Sequence, residues 1–215
     1  MKNKEKTFQL VLTALFLSVL ILLASVPFLG FIPLGPINAT TLHIPVIIAS
    51  IVLGPKVGGF LGGCFGLISM IRSTMIITPM SFVFSPFIAP LGSTGSGSWK
   101  ALLVAFIPRI LIGVVPYFVY IGSKKFFKNA GKTFGLFLAG LVGGLVNTIL
   151  VMNFIFFLFK PEYAQVLGEA GDAVYAAIIS VIFVQGVPEA IVAGLATAAV
   201  ASVLLKFMDR RELSE

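Results

Sequence analysis

Arg109 and Glu189 stand inside long apolar runs of this chain. On insertion scales an ionised side chain at the centre of a membrane helix costs about 2.5–3.5 kcal/mol, so each calls for a partner or a ligand. Arg109 lies about ten residues into the run that begins at Trp99, which at about 1.5 Å per residue is roughly 15 Å deep. Glu189 follows Pro188 in the last run, with Gln185 one helical turn before it, and Asn147 falls at similar depth in the run between them. Asn153 lies nearer one end of that run. Two chemistries fit this set. Arg109 and Glu189 can neutralise each other as an interhelical pair while Asn147 hydrogen-bonds across helices. Alternatively, Arg109 holds an anionic group of a ligand and the amides read its hydroxyls and amide groups. Arg72 is an alternate cation, placed either in the roof of such a pocket or among lipid headgroups.

Other chemistry lacks its residues. Gly131-Lys132-Thr133 resembles the end of a phosphate-binding loop, but the required earlier glycine is Phe126. The single histidine, His43, has no serine nucleophile motif beside it, and Gly92-Ser93-Thr94-Gly95 has Thr where such a motif needs Ser. One His, one Cys and no clustered carboxylates give no expected metal site, and no catalytic residue or cofactor is expected. Cys64, in the run Gly62-Gly63-Cys64-Phe65-Gly66, reads as a small packing residue.

The elements that must carry these residues are membrane helices. The chain is 58% hydrophobic and only 11% charged, with a mean hydropathy of +1.09, against about 25% charged in a soluble domain. After Lys6 the next ionised side chain is Lys56, and residues 133–159 and 173–188 carry none. Such gaps hold the roughly 20 apolar residues that a bilayer core demands. The reading is an all-α integral membrane protein, one six-helix domain over 1–215, with spans at about 8–29, 44–54, 57–77, 99–123, 133–159 and 173–207. The run from Phe8 to Leu29 exceeds a signal peptide's apolar region and is expected to be a retained helix. The last span is over-long and should kink at Pro188 or continue beyond the bilayer.

A net charge of +7 in a soluble protein would suggest nucleic acid; here it fits orientation, and no nucleic-acid partner is expected. With the N-terminus cytoplasmic, eleven of the fifteen basic residues fall inside: Lys2, Lys4, Lys6, Lys56, Lys124, Lys125, Lys128, Lys132, Lys206, Arg210 and Arg211. Both termini are therefore expected in the cytoplasm. Of the outward segments 30–43, 78–98 and 160–172, the first two are poor in charge and read as folded lids rich in Pro, Gly and hydroxyls, the second followed by a tether from Ser93 to Ser98. Gly58, Gly62 and Gly66, Gly140 and Gly144, and Ala190, Gly194 and Ala198 are four apart, the spacing that lets helix backbones approach closely in lipid. Ala14 and Ser18 make a lone notch of this kind on the greasy first span, which either packs internally or takes an external partner.

A charged N-terminus, a notched first helix, the stretch from His43 through Gly54-Pro55-Lys56 to Gly62, and a glycine-rich third helix without an ATPase motif form a pattern. The chain resembles, over nearly its whole length, the substrate-binding S component of energy-coupling factor (ECF) vitamin transporters. The opening Asn38 to Pro45 and the loop from Ser85 to Gly97 look most like the pantothenate-type members. The resemblance implies a vitamin captured from outside between the first and third loops and helices 4 to 6, with Asn38 and His43 joining Arg72, Arg109, Asn147, Asn153, Gln185 and Glu189 as ligand-binding candidates. It implies a transmembrane coupling (T) component and two cytoplasmic ABC-type ATPases as partners, so that this chain is itself no enzyme. The family's Ala-x-x-x-Ala partner motif falls on Ala14 and Ser18, a departure at its second position. An S component for pyridoxine, hydroxymethylpyrimidine, folate or riboflavin is the alternative. A free-standing secondary transporter would predict inverted repeats and ion-coupling residues, which the two halves lack.

Overall fold

The computed structural model describes residues 2–26, 29–34, 37–90, 95–126, 131–168 and 173–212; the side chains of residues 2–4, 31–39 and 209–212 lie outside that description. Helix α1 (Lys2–Ser25) is followed by a short antiparallel hairpin, β1 (Phe31–Leu34) and β2 (Ile37–Thr40), which pairs Phe31 with Thr40. Then come α2 (His43–Leu53), α3 (Pro55–Met75), the single turn α4 (Ser81–Phe84), α5 (Lys100–Phe126) and α6 (Gly131–Leu167). The last run is α7 (Ala173–Val181), a π-helical turn (Ile182–Gly186) and α8 (Val187–Glu212). Five helical runs are long and apolar enough to cross a membrane, so the protein is a multi-pass membrane protein. Helix α2, the expected second span, has eleven residues and covers about 16 Å, half of a hydrocarbon core of about 30 Å.

Local sequence explains where the helices break. Gly54 takes φ 92°, a conformation that favours glycine, and Pro55 opens α3 at a position where no backbone N–H is needed. The apolar run expected to end at residue 159 continues as helix to Leu167, across a non-helical Phe159. Pro161 explains the break, because it cannot donate to the carbonyl four residues back, that of Phe157. Near Pro188 the irregularity is a π turn one turn earlier, at Ile182–Gly186, rather than a kink at the proline itself. A wider turn there accommodates the carbonyl of Val184, which Pro188 can neither bond nor approach closely.

The small residues are where backbones meet. A Cβ on Gly58, Gly62 or Gly66 would overlap backbone atoms of Gly113, Arg109 or Ala105, so α3 and α5 touch main chain to main chain along three turns. On the other side Gly140 lies against Ala193 and Gly194, Gly144 against Ala190, and Gly186 against Thr148. These contacts fix antiparallel registers for α3 with α5 and for α6 with α8. Helices α2 and α6 each pack against both α5 and α8, and against each other.

Two apolar clusters fill the bundle. One gathers Val46, Ile47, Leu61, Phe65, Ile112 and Leu136; the other, at the end that carries α4, gathers Phe82, Val104, Met152, Ile155 and Tyr163. Helices α5 and α6 cross both clusters. Arg109 falls between Val104 and Ile112 on the first, and Asn147 between Ala139 and Val151 on the second. A polar layer therefore separates two greasy ones.

Candidate polar site between the apolar clusters

Arg109 is 5% exposed, and its surroundings begin with its neighbour in sequence. Pro108 has no N–H, which leaves the carbonyl of Val104, four residues earlier, without a helical donor. The Arg109 Nη1 donates to that carbonyl at 2.8 Å. The proline withholds one hydrogen bond and the adjacent guanidinium supplies it. Phe84, on α4, lies 4.9 Å from the guanidinium carbon and Phe65, on α3, 5.4 Å, so two ring faces hold the cation in a dry setting. Its Nε has no hydrogen-bond partner, and no carboxylate pairs with it among the described residues.

Glu189 accordingly does not neutralise Arg109. Its Oε1 accepts a hydrogen bond from the Thr40 backbone N–H at 3.2 Å, which ties the end of the hairpin to α8. Thr40 in turn donates through Oγ1 to the Gly30 carbonyl and accepts from the Leu42 N–H. Three residues on, His43 opens α2 with 2% exposure; neither ring nitrogen makes a hydrogen bond of normal geometry, the Thr40 backbone is close to the ring, and the Arg109 charge is within electrostatic reach. Asn147 is equally enclosed, at 6% exposure, and its Oδ1 has no partner.

The helix registers bring these residues together. A Cβ on Gly143 would meet both Ile47 and Pro116, so α2, α5 and α6 come together at that level. His43 is one turn from Ile47 and Asn147 one turn from Gly143, both toward the hairpin end, and Arg109 lies two turns beyond Pro116 in the same direction. On α8 the Ala190–Gly144 and Gly186–Thr148 contacts set Glu189 and Gln185 within a turn of that depth. Unpartnered buried polar atoms also occur at Ser50, Ser69, Tyr163 and Thr197, and here three such side chains share one layer, an arrangement suited to binding a polar molecule.

Two candidates lie elsewhere. Arg72 donates through Nη1 to the Ala24 carbonyl at 3.5 Å and so faces the C-terminal turn of α1, where a cation complements the helix dipole. Asn153 donates to the carbonyl of Ile149 on its own helix at 2.7 Å. Asn38 is on β2, but its side chain lies outside the described residues, as do Ser93 and Thr94 of the expected tether. Ala14 and Ser18 are exposed on α1, and the Ser18 hydroxyl donates to the Ala14 carbonyl.

Sequence reasoning missed Phe65, Phe84 and Thr40. Pro108 beside a buried Arg was a legible signal for the first pair's cation, whereas Phe84 reaches it only through the fold of its loop. There the Thr78 N–H donates to Ser81 Oγ at 2.8 Å, and the Thr74 and Ser85 hydroxyls share a 2.7 Å hydrogen bond. Also unforeseen is a cavity of about 350 Å³ at the same end, lined by Phe82, Ser96, Ser98, Phe159 and Glu162 among others.

The structure is thus a helical membrane bundle with a buried polar layer near its hairpin. The chain belongs to the family of ECF transporter substrate-specific components, whose model matches residues 8–201. It is 37% identical over 205 residues to the pantothenic acid transporter PanT of Lactococcus lactis subsp. cremoris (strain MG1363), covering 95% of this chain and 97% of that protein. It is 28% identical over 215 residues to the pantothenate transporter PanT of Leuconostoc mesenteroides subsp. mesenteroides (strain ATCC 8293), covering 97% of each.

Proposed function

We propose that this chain is the substrate-capture subunit of an ATP-driven ECF importer for pantothenate. It binds the vitamin from outside and passes it to the cytoplasm in complex with a T component and two cytoplasmic ABC-type ATPases. The single observation that carries the ligand reading is Arg109, a buried guanidinium with an unused N–H and, among the described residues, no carboxylate partner. Pantothenate has one carboxylate, one amide and two hydroxyls, and so needs one cation and several neutral partners. Arg109, His43, Asn147 and Gln185 offer that set, with Asn38 at the hairpin. The names of the two relatives support the same choice.

The single domain is taken to cross the membrane six times, with α2 as the short second span and both termini in the cytoplasm. The excess of Lys and Arg on that side supports the orientation. Ala14 and Ser18, exposed on α1, are the surface offered to the T component. Energy must come from the partners, since binding alone shifts populations and cannot drive accumulation.

The test is titration calorimetry of the purified chain with pantothenate, followed by uptake in proteoliposomes with and without the coupling module and internal ATP. The reading requires saturable binding by the chain alone and accumulation only with the module and ATP. Absence of pantothenate binding, with binding of pyridoxine or another neutral vitamin, overturns it. Accumulation by the chain alone would return it to a secondary transporter.

A further inference from the structure

The four helices around the polar layer set Arg109 and Glu189 on its two sides. Helices α2 and α6 each pack against both α5, which carries Arg109, and α8, which carries Glu189. The groups between them come from α2 and α6: His43, with both ring nitrogens unbonded, and Asn147, with Oδ1 unbonded. Continuity along the layer is given by contacts already described. Glu189 accepts from the Thr40 N–H, Thr40 is three residues from His43, and His43 lies within electrostatic reach of Arg109. The order across the layer is therefore carboxylate, neutral donors and acceptors, guanidinium. Only one oxygen of Glu189 is used by Thr40; Oε1 takes that hydrogen bond.

We infer that Glu189 reads the hydroxyl end of the ligand and makes the site select against a phosphate ester there. This rests on the pantothenate reading, and it adds a direction to it. Arg109 takes the ligand's carboxylate, Asn147 and His43 take the central amide, and Glu189 Oε2 accepts from the hydroxyls while Oε1 stays on Thr40. In its ionised form the Glu189 carboxylate is a strong acceptor for a hydroxyl and repels an anion in the same place, so one group supplies both the attraction to the free alcohol and the discrimination against its phosphorylated form. A neutral amide in that position would keep the first function in part and lose the second.

The experiment compares two probes on the full-length protein: pantothenate, and pantothenate carrying a phosphate monoester on its terminal hydroxyl. The wild-type protein is expected to prefer pantothenate by at least a hundredfold. Glu189→Gln retains a carbonyl oxygen for Thr40, so the hairpin contact persists; it is expected to weaken pantothenate about tenfold and to shrink the preference to about tenfold or less. Glu189→Asp keeps the charge and is expected to keep most of the preference whatever it loses in affinity. The ratio of the two affinities is read on one preparation and does not depend on the fraction folded. A Glu189→Gln protein with wild-type affinity and an unchanged ratio overturns the inference and leaves Glu189 as the hairpin's anchor. Equal binding of both probes by the wild-type chain also overturns it while leaving the pantothenate reading intact. No binding of pantothenate by the wild-type chain overturns both together.

Discussion

Helix α1 and the bundle of α2, α3, α5, α6 and α8 solve the same solvent problem in opposite ways. Among the described side chains of α1 the buried ones are Phe16 and Leu20, and the hydroxyls of Thr13, Ser18 and Ser25 donate to carbonyls four residues earlier on the same helix. These three hydroxyls are met within the helix, although the Ala24 carbonyl accepts from Arg72 on α3. The bundle does the reverse: backbones meet at Gly58, Gly62, Gly140 and Gly144, and the polar atoms of His43, Arg109 and Asn147 are enclosed yet open-handed. A helix whose hydroxyls are met internally can exchange apolar neighbours at little cost, whereas a layer with unmet hydrogen bonds favours a polar one. The contrast separates the surface fit for a protein partner from the interior fit for a ligand.

The contrast can be broken most forcefully at the glycine seam. Gly62→Leu drives a side chain into the Arg109 backbone, and overpacking of about 1–3 kcal/mol or more is large beside a marginal stability. Loss of monodisperse protein, or a melting temperature lowered by many degrees, is expected on size exclusion and thermal unfolding in detergent. A variant with the wild-type melting temperature would mean that α3 and α5 do not meet there. Next comes the cation. Arg109→Ala is expected to weaken pantothenate roughly 30-fold or more by calorimetry, since removing one side of a desolvated charge pair costs about 2–5 kcal/mol. Arg109→Lys should restore only part, because a point charge cannot both bond the Val104 carbonyl and fork onto a carboxylate. Unchanged affinity in both variants would favour a neutral vitamin.

On α1 a smaller and differently shaped effect is expected. Ala14→Leu should lower the yield of complex with the T component several-fold on co-purification, while pantothenate affinity of the isolated chain stays within twofold. Equal loss of ligand binding would join α1 to the bundle and erase the contrast. The smallest effects sharpen it inside the bundle itself. Asn147→Ala should cost a few-fold in affinity, the scale of one neutral hydrogen bond, and Asn153→Ala less than twofold, because its amide already donates to the Ile149 carbonyl. Reversal of that order in calorimetry would move the pocket toward the end of α6.

Charge gaps and four-residue glycine spacing made the helices and their contacts legible, since both follow from the bilayer as solvent. The layer of Arg109, Asn147, Gln185 and Glu189 was legible for the same reason: intramembrane polar groups are costly and therefore conspicuous. Assigning partners was not possible, because depth along a helix does not give its rotation. So Glu189 turned out to hold the Thr40 amide, and Arg72 to face Ala24. The breaks at Phe159 and Ile182–Gly186 are one-turn backbone responses to Pro161 and Pro188. Hydropathy carries no trace of which response a proline evokes.

The hydrogen bond from Arg109 to the Val104 carbonyl also bears on how tightly a dilute ligand is held. An arginine left to sample its rotamers must give up that freedom when it meets an anion, at about 0.5–1.5 kcal/mol for one such side chain. Here Pro108 has left an acceptor that fixes the guanidinium in place, with Phe65 and Phe84 on its faces. The ordering cost is met when the protein folds, once, and is not charged again at each encounter. The helix defect at Pro108 thus acts as a preset aim for the side chain beside it.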